Sequence, residues 1–117
     1  MFTNDLENDV YRFLTDYEFP PQINGYRYLK EGLVHILNNR DEILSNKILF
    51  AHLSDKFNVD LINIERCIRT IIDKMWVDLV RAGMFNDRPT PRQFILKCVE
   101  CITSGSHQKS AYDILLS

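Results

Sequence analysis

Five polar residues cluster in "NIERCIRTIIDKMW", residues 63–76: Asn63, Glu65, Arg66, Arg69 and Thr70. Their types suit hydrogen bonding to base edges. Arginine can present two N–H groups to guanine O6 and N7, asparagine matches adenine, and glutamate accepts from cytosine N4. A good bidentate pair discriminates between bases by roughly 1–3 kcal/mol. A plainer reading is also open. Glu65 and Arg69 are spaced i to i+4, which on a helix makes an ordinary surface ion pair worth about 0.2–0.5 kcal/mol.

Other chemistry has less support. The cysteines are Cys67, Cys98 and Cys101. Their odd number points to reduced thiols, and "CVEC" sits in an apolar helical pattern with no second pair to complete a metal site. They read as small buried hydrophobes, with His107 the nearest imaginable partner. His35, His52 and His107 are scattered. No nucleotide loop, metalloprotease motif or catalytic grouping occurs. No enzymatic activity, metal or cofactor is expected.

The elements that would position the polar cluster are helical throughout. Thr3 is placed to cap a helix from about Asn4 to Asp16, which Pro20 and Pro21 stop, with Gly25 allowing a turn. A second helix spans about Tyr26 to Asn38, followed by the polar connection "NNRDE". A third begins at Ser45 or Asn46 and carries Ile48, Leu49, His52, Leu53 and Phe57. After the short turn "NVD", Asp60 is placed to cap a fourth helix from Leu61 to about Trp76, which either kinks or continues toward a stop at Gly83. Thr90 and Pro91 open a fifth, ending near Ile102.

The third and fourth helices therefore make a helix-turn-helix, with Ser54 at their close approach. Positions 61, 64, 68, 71 and 75 form the buried stripe, and the polar cluster falls largely opposite it. It lies in the N-terminal half of the second helix, the part that meets base edges in such motifs. Lys47, Lys56 and Arg92 are further candidates for phosphate contacts.

Composition sets the frame. With 117 residues, 45% hydrophobic and 26% charged, the chain can form one globular core and is not of disordered composition. Residues 1–103 read as one domain and 104–117 as a tail, either flexible or a short docking helix. The acidic N-terminus lacks the apolar core of a signal peptide, and no run is long enough to cross a membrane, so a cytoplasmic location is expected. The net charge is −2, but five of the 16 acids and only one of the 14 bases lie in residues 1–20. The remainder is mildly basic, which permits phosphate contact.

Four blocks add a resemblance. "INGYRYLKEGL", "LSDKFN", "IERCIRTIIDKMW" and "RPTPRQFI" occur in order across about residues 10–102. Together they resemble the C-terminal DNA-binding effector domain of the sporulation master response regulator of spore-forming Firmicutes. The resemblance implies an all-α domain whose second motif helix binds a short DNA box, often in tandem copies. It carries DNA contact to Glu65, Arg66 and Arg69. The family has Ser-Arg where Ile62 and Asn63 stand here, and histidine at Thr70, so its target sequence does not carry over. At Ile62 an exposed side chain would suit either a thymine methyl or a protein-contact surface. The segment between Trp76 and Arg88 is shorter than the family's, where polymerase is contacted. The chain has no room for a receiver domain, so activation by aspartyl phosphorylation is not expected.

The expected molecule is thus an all-α, compact bundle of five to six helices containing a helix-turn-helix. Its expected function is that of a stand-alone, sequence-specific DNA-binding protein and transcriptional regulator. Its partner would be double-stranded DNA, with self-association, RNA polymerase or another regulatory protein as further partners and no membrane. The alternative is a protein-interaction module that modulates a related regulator, a recombinase or polymerase without reading DNA.

Overall fold

The computed structural model describes the backbone of residues 2–39 and 46–116, and the side chains of residues 5–39 and 47–104. Five helices make up the described chain: α1 (Phe2–Asp16), α2 (Asn24–Asn38), α3 (Asn46–Phe57), α4 (Leu61–Arg81) and α5 (Pro91–Leu116). The fold is all-α, as the 3.6-residue periodicity dictates. The caps expected at Thr3 and at Ser45 or Asn46, and His107, lie outside the described side chains.

Helix ends follow local chemistry. At the end of α4, Gly83 takes φ 85°. The Gly83 amide donates to Val80 O and the Met84 amide to Leu79 O, which satisfies two terminal carbonyls. Met84 and Leu79 are both buried, so the turn also closes over apolar surface. The helix does not stop at Trp76; it continues straight into this glycine turn. α1 ends similarly, but with Glu18 at φ 59° and the Phe19 amide donating to Leu14 O. This turn, rather than Pro20, ends the helix. At the start of α5, Thr90 Oγ1 accepts from the Gln93 amide at 3.2 Å and Gln93 Oε1 accepts from the Thr90 amide at 3.0 Å. That reciprocal box fixes the first turn. The α5 backbone then stays helical past Ile102, where the apolar pattern fades.

One apolar core joins the helices. Leu14, Leu29, Leu33, Leu53, Ile68 and Phe94 are almost fully buried within it. Aromatic rings run through one side, with Phe19 linking Phe13 to Phe94 at centroid distances of 6.0 Å on each side. α2 lies centrally and packs most broadly on α4. Gly25, expected in a turn, instead lies buried in the first turn of α2. A Cβ there would stand closer than 3.0 Å to the carbonyl oxygen of Cys67 and 3.4 Å from Ile71 Cβ. The glycine serves a close helix approach, not a turn.

Candidate nucleic-acid interface

The turn between α3 and α4 is built from three residues. Asn58 adopts the left-handed conformation, φ 54°, which asparagine tolerates better than most residues. The Val59 amide donates to Ser54 O at 3.1 Å, and the Ser54 hydroxyl donates to Val59 O. Ser54 thus ties the end of α3 to the turn. Phe57 anchors it to α2: its ring meets Tyr28 edge-on at 5.2 Å, and the Arg27 guanidinium lies 5.0 Å from its centroid. Lys56 pairs with Glu31 across the same junction.

Asp60 occupies the cap position of α4, but its side chain makes no capping bond. Its backbone carbonyl accepts from the amides of Asn63 and Ile64, each at 3.0 Å. The amides of Leu61 and Ile62 take no partner among the described residues. They leave the positive end of the helix dipole open to solvent or to an anion.

The buried stripe of α4 is Ile64, Ile68, Ile71, Ile72, Met75 and Leu79. At 100° per residue, Arg66 lies roughly 160° around the helix from Ile68, close to the centre of the exposed arc. It is exposed and its side chain has no partner among the described residues. Asn63 is exposed beside it. Arg69 donates to Glu65 Oε1 from Nε at 3.1 Å and from Nη2 at 2.9 Å. Thr70 is exposed, and its hydroxyl donates to Arg66 O at 3.0 Å. The structure therefore brings Asn63, Glu65, Arg66, Arg69 and Thr70 onto one surface, with different degrees of engagement.

The three outlying basic residues separate. Lys56 stands beside the turn, held by Glu31. Arg92 is exposed in the first turn of α5, next to a cleft lined by Arg69, Ile72, Arg88, Pro89, Thr90 and Pro91. Lys47 is exposed at the start of α3, ten residues from its end, hence about 15 Å along the axis from the turn. Sequence reasoning missed Arg88, which pairs with Asp73 and lines the same cleft as Arg69. It also missed Arg27. Neither carries a local signal, because both partners lie far away in the chain.

A model of the family described as sporulation initiation factor Spo0A C terminal matches residues 10–101. The chain belongs to that family. It is a DNA-binding effector domain of the sporulation-regulator type, a transcription-factor class rather than an enzyme class. No solved structure matches the chain. The match spans the second half of α1, α2, the helix-turn-helix and the first part of α5. Among the described residues no helix is long and apolar enough to cross a membrane.

The cysteines lie on the inner side of the effector domain. Cys98 is fully buried, and Cys67 and Cys101 are half-buried; all three are free thiols. Burial, and then the neighbouring Cys101, pushes the Cys98 thiol well above its ordinary range. Burial also raises Cys101, aided by Glu100 and opposed by Lys97. High thiol pKa values disfavour the reactive thiolate.

Proposed function

We propose that this domain is a sequence-specific DNA reader and transcriptional regulator, with α4 entering the major groove. The observation that carries the reading is Arg66: an exposed side chain with no partner among the described residues, central on the outer face of a helix whose inner face is apolar. Arg66 and Arg69 contact bases or phosphates, and Asn63 and Glu65 tune the choice. Glu65 holds Arg69 by two hydrogen bonds and so pre-sets the direction of its guanidinium. Thr70 contributes through its methyl group while its hydroxyl is back-bonded to the helix. Lys56 and Arg92 flank the face as phosphate contacts, and Lys47 makes a more distant one. Binding as tandem or paired copies on DNA, and action in the cytoplasm, go with this reading.

The test is selection of bound sequences from random DNA by purified protein, followed by titration of the winning site. Enrichment of one motif is expected, with a salt dependence set by the number of phosphates neutralised. Arg66→Ala or Arg69→Ala should weaken the selected site by ~1–3 kcal/mol while leaving the thermal unfolding midpoint nearly unchanged. Selective binding that survives both substitutions would sink the assignment. Failure to bind DNA at low salt, with stable capture of a regulatory protein, RNA polymerase or a recombinase, would favour the interaction-module reading.

A further inference from the structure

Ile62 is the most exposed large apolar side chain among the described residues, at 70%. Single apolar residues are commonplace on surfaces, so exposure alone says little. Its place says more. Ile62 is the second residue of α4 and begins a row with Arg66 and Arg69 at steps of four and three. It therefore stands one turn ahead of Arg66 on the same face, in the part of a motif helix that goes deepest into the groove.

Its surroundings argue against a protein partner. The nearby outer residues, Asn63, Glu65 and Arg66, are polar. The other exposed large apolar side chains of the motif helices are Ile48 and Val77. Ile48 lies about 14 Å along α3 from its end, and Val77 about 22 Å along α4 from Ile62. Among the described residues of the motif helices, Ile62 thus belongs to no apolar patch of the size a protein interface needs. One isoleucine matches a target of methyl size, and the major groove displays such a group at the thymine C5 position.

We propose that Ile62 reads a thymine methyl group within the bound site, one helical turn from the contact made by Arg66. The proposal rests on the DNA-reading function above. The isoleucine excludes water from the methyl and offers cytosine N4–H no acceptor, so it favours thymine over cytosine at that position. Burial of one methyl group corresponds to about a three- to fivefold gain in affinity.

The experiment replaces each thymine of the selected motif, one at a time, by deoxyuridine, which removes only the methyl. Affinities are measured by fluorescence polarisation at fixed salt for the intact chain and for Ile62→Ser. The intact chain should lose about three- to fivefold at one or two positions, and Ile62→Ser should show no loss at those positions. Unchanged circular dichroism and unfolding midpoint establish that the variant is folded. A tightly bound motif that is insensitive to every methyl, or that lacks thymine, overturns the role of Ile62 alone. So does methyl sensitivity that persists in Ile62→Ser. Absence of any selected motif overturns the DNA reading and this proposal together.

Discussion

The two halves of α4 share one interior and differ outside. Ile64, Ile68 and Ile71 in the first half and Ile72, Met75 and Leu79 in the second continue a single buried stripe. Outside, the first half carries Ile62, Asn63, Arg66, Arg69 and Thr70, with Glu65 already engaged by Arg69. The second carries Asp73, Lys74, Val77, Asp78 and Arg81, and its Asp73 is paired with Arg88. Opposite charges balance along the second half, and its central outer position is a valine. The contrast separates what holds the helix in place from what the helix offers to a partner. Apolar periodicity alone could not distinguish the halves.

The contrast is open to direct attack. The largest effects should come from the shared interior: Ile68→Ala and Leu79→Ala should each lose ~2–5 kcal/mol in urea unfolding. A marked asymmetry between them would show that the halves are not equally supported. Next, Gly25→Ala forces a methyl group into the Cys67 carbonyl and should cost about 1–3 kcal/mol of stability. Because that contact lies behind the first half, DNA affinity of the folded variant should fall too. On the outer face, Lys74→Ala should change the affinity for a selected site by less than about 1 kcal/mol and leave base preference intact, whereas Arg66→Ala should not. Smallest of all, Asp73→Ala removes an exposed ion pair and should alter stability by under ~1 kcal/mol, as urea titration would show. A change in base preference on losing Asp73 would extend the reading surface into the second half and blur the comparison.

Much of this was legible from local pattern. The apolar spacing from Leu61 to Met75 located the inner stripe, Gly83 the end of α4, and Thr90–Pro91 the start of α5, because each depends on a few neighbouring residues. The order of blocks also exposed the family. Local pattern failed where the deciding partner is distant. Gly25 looked like a turn residue, since nothing nearby shows that the Cys67 carbonyl lies against it. Arg88 carried no local signal, because its partner Asp73 stands fifteen residues earlier. Asp60 sits at the expected cap position, yet its side chain makes no bond there. The outer surface was legible as a set of residue types, and the i to i+4 spacing already offered the pairing of Glu65 with Arg69, but that Arg66 has no partner among the described residues needed three dimensions.

Gly25 has a genetic consequence. The depth at which α4 is seated, and so how far its outer residues project, is limited by one missing methyl group on another helix. A screen for mutants unable to occupy their site should therefore yield two separable classes. Replacements at the arginines would act in folded protein at every temperature. Replacements at Gly25 would score as temperature-sensitive, and no side-chain change should fully restore them, because the closest contact is the Cys67 backbone carbonyl.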